Sequence, residues 1–414
     1  MCRSHMASRL ALSLILISFL SAVPLLAGWE EGVAAYQDGR YDEAVVAFRE
    51  LVDRSPETAE GHFMLGRSLY RQKQLGAATA SLQKAVELAP SNASHSLVLA
   101  QVQLTAGKPG DALSSLGRLD PSAVPESMRQ GFNGMLAKVA HATDRNRDAA
   151  AALQRALTAD AKSKSLWMAL GQVSNRLGEP EKRFEALSGA FDLDRDDSAL
   201  GLLAVHVAMT VAQDDANDAN RKLDWYRKAA KLGRKLAAGS LSAENLKLIG
   251  GAAMGAQDYE AAVTSFEKAL ASGADDPRLH YDLGRSYIRL ERHDDALRQL
   301  QAALDKAPEP DLARATQGAR GLAYRHLEKF DQAAEAYRLA GDTEQATEMT
   351  KYADNRREWA AAKADCVRKR AQIAELRADS DDLKGTAEWQ ELEREFTAVL
   401  TACEPYLREA DASS

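Results

Sequence analysis

Aromatic residues make up only 6% of this 414-residue chain, proline occurs 11 times and cysteine three times. Scarce proline beside abundant alanine, leucine, glutamate, lysine and arginine favours helices over strands. Three cysteines exclude a disulfide-built scaffold. Positive charge is not in excess either. A formal net charge of −7 leaves no global field for nucleic acid, so the partner expected is not DNA or RNA. The signatures of catalysis are also missing: no G-x-x-x-x-G-K-S/T, no G-x-S-x-G, no dinucleotide fingerprint and no H-E-x-x-H. The eight histidines are scattered singly without zinc spacing. His62 and His280 fall at helix-packing positions, which points to a core or half-buried role. The acidic run 192–197 places oxygen ligands at alternate positions, but Asp197 stands where a calcium loop needs glycine and Leu203 where it needs a carboxylate. That run reads as a solvated loop. The expectation is a non-enzyme with no cofactor and no metal.

Long apolar runs are absent after the first. Arg3, His5 and Arg9 precede an apolar stretch over 10–23, Pro24 breaks it, and Ala27 and Gly28 follow. This is the layout of a secretory signal peptide over 1–28, cleaved after Ala27 or Gly28. An uncleaved anchor is the alternative, since the stretch approaches the ~18 residues that span a bilayer. Loss of Arg3 and Arg9 moves the formal charge from −7 to −9. No span is expected in the mature chain, which is read as exported to the periplasm or the exterior. Cys366 and Cys403 are an even pair for an oxidising compartment.

What is present in quantity is self-similarity. From Leu25 the chain divides into nine units, most of them 34 residues long: 25–58, 59–92, 93–126, 130–163, 164–197, 198–242, 243–276, 277–310 and 314–347. The first helix of a unit carries a small residue or Leu-Gly, as at Gly32, Leu65-Gly66, Leu170-Gly171, Leu283-Gly284 and Gly321, where a larger side chain would push the paired helix away. The second carries a small residue, then a large apolar one four positions on: Ala44/Phe48, Ala78/Leu82, Ala149/Leu153, Ala262/Phe266, Ala296/Leu300 and Ala333/Tyr337. Four-residue spacing puts these on one helical face. Pro56, Pro90 and Pro308 end second helices, and Gly39, Gly107 and Gly178 sit in the turns between helices.

This pattern resembles the tetratricopeptide repeat (W-x2-L-G-x2-Y, then A-x3-F, then P) over roughly 25–347, most closely at Trp167-x2-Leu170-Gly171 and Leu283-Gly284-x2-Tyr287. The resemblance implies an all-α, right-handed α-solenoid of about nine helix-turn-helix repeats over 29–347, with a concave groove that binds peptides in many members. The carboxylate clamp of the chaperone-binding members is not reproduced, because Phe63, Arg67, Leu97 and Val98 occupy comparable places. Arg183 replaces the small residue of the fifth unit, so the pattern does not support close packing there. The unit at 198–242 is irregular, with an acidic turn over 214–218 and a segment, 223–233, that looks like a Sel-like repeat. The three-residue insertions 127–129 and 311–313 are expected to be loops.

Past residue 347 the period is lost. A helix over 349–377 carries Tyr352, Trp359, Cys366 and Ile373 at seven-residue spacing. Thr386 is a good N-cap for a second helix, which carries Trp389, Leu392, Phe396, Val399, Cys403 and Tyr406 as a heptad stripe. Together they predict an antiparallel helical hairpin over 348–409, with a disordered tail at 410–414. Residues at one height of such a hairpin share an index sum, and Cys366 with Cys403 has the same sum as Ile373 with Phe396. A disulfide is geometrically allowed; two thiols that never meet is the other reading.

The packing pattern leaves one first-helix face over. It carries Phe63, Arg67, Tyr70 and Arg71 in the second unit, Leu97 and Gln101 in the third, Gln172 and Arg176 in the fifth, and Tyr281, Arg285 and Arg289 in the eighth. Rings beside guanidinium groups suit a protein or peptide segment with carboxylates. The reading is an exported, non-catalytic interaction scaffold. Two alternatives are a structural protein that self-assembles into a homo-oligomer through the C-terminal hairpin, and an accessory subunit sensing glycans or other small ligands.

Overall fold

A computed structural model describes residues 28–214, 216–236, 241–379, 384 and 386–411. The signal reading, apart from Gly28, and residues 412–414 of the tail lie outside the described residues. The chain separates into two bodies, 1–239 and 240–414, and the division falls inside the irregular unit.

In the first body helical residues 28–37 (α1) lead into α2 (Tyr41–Arg54), α3 (Ala59–Arg71), α4 (Leu75–Leu88), α5 (Ala93–Thr105) and α6 (Pro109–Gly117). A 3-10 turn at Pro121–Ala123 precedes α7 (Glu126–Ala142), α8 (Asn146–Ala159), α9 (Lys164–Leu177), α10 (Pro180–Leu193), α11 (Ser198–Gln213) and α12 (Ala219–Leu236). The second body holds α13 (Ala243–Gly255), α14 (Tyr259–Ala271), α15 (Pro277–Arg289), α16 (His293–Asp305), α17 (Pro310–His326), α18 (Phe330–Ala340), α19 (Thr343–Asp379) and α20 (Ala387–Asp411). No strand occurs among the described residues. Each body is an all-α stack in which consecutive helices pack as antiparallel pairs.

Local chemistry starts these helices. Asn92 accepts from the amides of Ser94 and His95, Asp276 from that of Leu279 and Asp258 from that of Ala261, satisfying donors that a helix start leaves orphaned. Proline opens α6, α10, α15 and α17, where its missing N–H costs nothing. In most units the residue two before the second helix is left-handed, whether glycine (Gly39, φ 78°; Gly107, φ 72°) or not (Lys73, φ 63°; Gln257, φ 63°; Glu291, φ 60°; Glu328, φ 54°). The next amide then reaches back five residues, as from Gln74 to the Leu69 carbonyl at 2.9 Å, which closes the first helix in a Schellman turn.

The helix pairs lock through a recurring contact. A Cβ built on Gly66 would stand 2.5 Å from Leu82, on Gly250 2.4 Å from Phe266, on Gly284 2.7 Å from Leu300 and on Gly321 2.8 Å from Tyr337. The large residue of each second helix therefore fills the space vacated by a glycine, and Phe48, Leu82 and Leu300 are wholly buried. Each such side chain contributes about 1.5–3 kcal/mol. In the fifth unit, where Arg183 replaces the small residue, the position above Gly171 is 3.5 Å from its nearest neighbour, Leu187. The pair is looser there.

Three expectations need correction. Residues 127–129 and 311–313 are not loops: they lengthen α7 and α17 to 17 residues each. Pro125 and Pro310 set the start of those helices, and three added residues continue a helix by nearly one turn. The C-terminal hairpin does not begin afresh near 348. Helix α19 is continuous from Thr343, and its first turns bury Ala346, Met349 and Ala353, with Ala346 and Met349 packing on Ala333 and Tyr337 of α18. At the other end α20 runs to Asp411, past the expected start of the tail.

Further along, α19 pairs with α20. Cys366 and Cys403 are bonded, with Cα atoms 5.3 Å apart, beside a small cluster of Leu400, Tyr406 and Leu407. Ile373 and Phe396 are both buried, and Arg377 forms a forked pair with Glu393 at 2.9 and 2.8 Å.

Candidate functional site

The first-helix faces carry the candidate residues. In the first body the Arg67 guanidinium lies 4.8 Å from the Tyr36 ring and 5.5 Å from that of Phe63, and Arg71 lies 4.6 Å from Tyr41. Rings hold these cations by their quadrupoles. Phe63, expected on the open face, is buried. Its ring packs 4.5 Å from that of His95, so it backs Arg67 rather than meeting solvent. Tyr70 and Thr105 share a hydroxyl contact at 3.4 Å, and Gln101 donates to the Thr105 hydroxyl at 3.2 Å. Leu97 is half-buried and leans on the core.

The fifth-unit residues are already engaged. Gln172 accepts from the His141 ring at 3.0 Å. Arg176 donates to Asn146 at 2.7 Å and to the Ala140 carbonyl at 2.6 Å, tying α9 to the end of α7. The acidic run is engaged as well: Lys164 bridges Asp194 and Asp197 at 2.6 and 3.0 Å.

In the second body Tyr281, Arg285 and Arg289 line one open cleft of about 610 Å³ with Met254, Tyr259, Ile288 and Leu322. Arg285 stands 5.5 Å from the Tyr281 ring, and Arg289 stands 5.3 Å from Tyr259 and donates to its hydroxyl at 3.2 Å. Met254, Ile288 and Leu322 give the cleft an apolar floor. Its lining contains no carboxylate. Behind it Asp282 accepts from Arg278 at 2.8 Å, and burial holds its carboxyl above the ordinary carboxylate range despite that partner.

Tyr36, Tyr41, Met254 and Tyr259 escaped sequence reading because they belong to the preceding unit: Tyr36 and Met254 hold there the first-helix places that Tyr70 and Ile288 hold in their own units, and Tyr41 and Tyr259 open the second helices. A signal existed. Tyr41 lies 30 positions before Arg71, and Tyr259 30 before Arg289. Moreover, one shift of 218 positions carries Arg67 to Arg285, Arg71 to Arg289, Tyr41 to Tyr259 and Phe63 to Tyr281.

Among the described residues no group of three or more His, Cys, Asp or Glu could hold a metal ion, and no helix is long and apolar enough to cross a membrane.

One tetratricopeptide repeat model matches residues 30–93, 64–123 and 135–198, and a second matches 253–318. No curated protein matches the chain. Among solved structures, YrrB, described as a TPR protein with an unusual peptide-binding site, is 16% identical over 50% of this chain and 99% of its own, with a TM-score of 0.35. A MamA structure from AMB-1 is 22% identical over 45% and 98%, with a TM-score of 0.31. MamA from Desulfovibrio magneticus RS-1 is 17% identical over 42% and 96%, with a TM-score of 0.31. The repeat models fall on both bodies and cover the contacts of Gly66 with Leu82 and of Gly284 with Leu300, and this chain belongs to the tetratricopeptide repeat family.

Proposed function

We propose that this chain is an exported, non-catalytic scaffold that holds protein or peptide partners against the first-helix faces of its repeats. One observation carries the reading: the cleft of the second body sets two guanidiniums on aromatic rings above an apolar floor. Side chains held in place before binding lose less freedom when a partner arrives, and the planar fork of arginine suits carboxylates and backbone carbonyls. Export is supported by the charged-then-apolar order of the first 28 residues and by the bonded Cys366–Cys403 pair, since disulfides persist where thiols are not kept reduced.

The test is crosslinking capture from the native envelope fraction, wild type against Arg285→Glu/Arg289→Glu, with circular dichroism confirming that the variant folds. Loss of the captured partners supports the cleft. Capture unchanged in a folded variant refutes it.

Self-assembly through the hairpin is favoured by a separate observation. Tyr352, Trp359 and Val367 on α19 are 49%, 41% and 39% exposed and lie within about 80° of one another around the helix at ~100° per residue. Light scattering on the full chain with Val367→Asp distinguishes this reading, which requires an oligomer in the wild type that the variant loses.

A further inference from the structure

We propose that the chain carries two copies of one recognition site, one in each body, and that each takes an acidic extended segment with carboxylates on alternate residues. The proposal rests on the groove reading above and adds its valency and the chemistry of its partner.

The duplication is in the residues. A single shift of 218 positions superposes Arg67 and Arg71 on Arg285 and Arg289, and Tyr41 on Tyr259. The second arginine of each pair makes the same contact, a guanidinium held over a tyrosine ring at 4.6 Å in one body and 5.3 Å in the other. Other units do not repeat it. The third unit has Gln101 and Thr105 at these places, hydrogen-bonded to each other. In the fifth, Gln172 replaces the first arginine and Arg176 is turned onto the Ala140 carbonyl. In the ninth, Leu322 stands at the first place and His326, stacked on His293 at 4.7 Å, at the second.

Charge names the partner. Most arginines around these sites are neutralised within the chain: Arg278 by Asp282, Arg292 by Asp295, and Arg40 by Asp38 and Glu43. Among the described residues none of Arg67, Arg71, Arg285 and Arg289 forms an ion pair with a carboxylate, in a protein whose net charge is negative; the carboxylate that Arg285 acts on electrostatically, Asp282, is already held by Arg278. Four cations without an ion pair on two matching faces are complementary to an acidic ligand.

Spacing narrows it further. Each pair is one helical turn apart, about 6 Å along the axis at ~1.5 Å per residue. Side chains on one edge of an extended strand recur every ~6.6 Å. A strand lying along the helix therefore presents alternate carboxylates to both guanidiniums in register, and a forked hydrogen bond to each fixes its direction.

The probe is a capped peptide, Leu-Glu-Ala-Glu-Leu, titrated calorimetrically into the full chain at low salt. The expected result is two equivalent sites per chain. Arg67→Glu/Arg71→Glu is expected to leave one, Arg285→Glu/Arg289→Glu the other, and the fourfold variant none. Affinity is expected to fall about tenfold or more between roughly 50 and 500 mM salt, as exposed ion pairs are screened. A stoichiometry of one in the wild type overturns the duplication. Equal binding of Leu-Gln-Ala-Gln-Leu, or tighter binding of a helical peptide with glutamates four apart, overturns the partner chemistry. If the acidic peptide fails while envelope capture still depends on Arg285 and Arg289, this inference falls and the groove reading stands.

Discussion

Two glycines at the same place in the repeat are expected to respond oppositely to one added methyl group. Gly66 faces Leu82, and a Cβ there would lie 2.5 Å from the Leu82 Cγ and 3.1 Å from the Ala78 carbonyl oxygen. Carbon atoms in contact prefer about 3.5–4.0 Å, so the overlap is about 1–1.5 Å. Leu82 has no exposed surface into which to retreat. Overpacking of this kind costs about 1–3 kcal/mol, against about 1 kcal/mol gained when alanine replaces glycine in a helix. Gly171 faces Leu187 and Ala186 at 3.5–3.7 Å, which is ordinary contact, so Gly171→Ala keeps the propensity gain and adds no clash. The two variants therefore separate by about 1–3 kcal/mol, Gly171→Ala more stable than the wild type and Gly66→Ala less stable. At about 2–4 °C per kcal/mol for a body of this size, melting followed by circular dichroism resolves the difference. Because stacked repeats unfold by neighbours, hydrogen exchange should place the loss at α3 and α4. Trimming the opposing side chain, Gly66→Ala with Leu82→Val, should recover part of it in a double-mutant cycle. Destabilisation of similar size in both single variants would refute the account of Arg183 as the cause of the looser pair.

Two other outcomes follow from the second body. Reducing the Cys366–Cys403 bond removes a closure across 37 residues, a loss of about 4 kcal/mol in the chain-entropy model. Amide exchange in α20 and the distal part of α19 should then accelerate while α13–α16 stay protected, and protection unchanged throughout would count against a stabilising bond. His293 is held below its ordinary value by burial first and by the stacked His326 second, with Glu291 and Asp294 pulling the other way. A depressed folded-state value means that the stability present above about pH 6.5 is lost as pH falls below it. The melting temperature of the wild type should decline on going from pH 7.5 to 5.5 more steeply than that of His293→Phe, and parallel profiles would show that the stack carries no such linkage.

The repeat was legible in the chain itself because its causes are local and periodic. Gly66 and Leu82, Gly284 and Leu300, and Gly321 and Tyr337 stand at fixed spacing, and a contact between adjacent helices needs no distant partner. The hairpin register was legible for the same reason, since two facing heptad stripes and a short connection place Cys366 opposite Cys403. Misreadings came where a helix boundary depends on what lies beside it. Residues 127–129 and 311–313 extend helices already begun by proline, and α19 ignores the end of the period because Ala346 and Met349 still have Ala333 and Tyr337 to cover.

The candidate site was only half legible. Spacing on one helix put Arg67 with Arg71 and Arg285 with Arg289, and that much belongs to the amino-acid order. Which of the selected residues reach solvent did not. Phe63 sinks behind Arg67 because His95 of the next unit offers it a ring, and Arg176 is drawn off by a carbonyl at the end of α7. The tyrosines under Arg71 and Arg289 come from the unit before. Helical periodicity determines which side chains share a face, whereas the partner each one finds across the stack depends on the neighbouring helix, and only the tertiary structure supplies that helix.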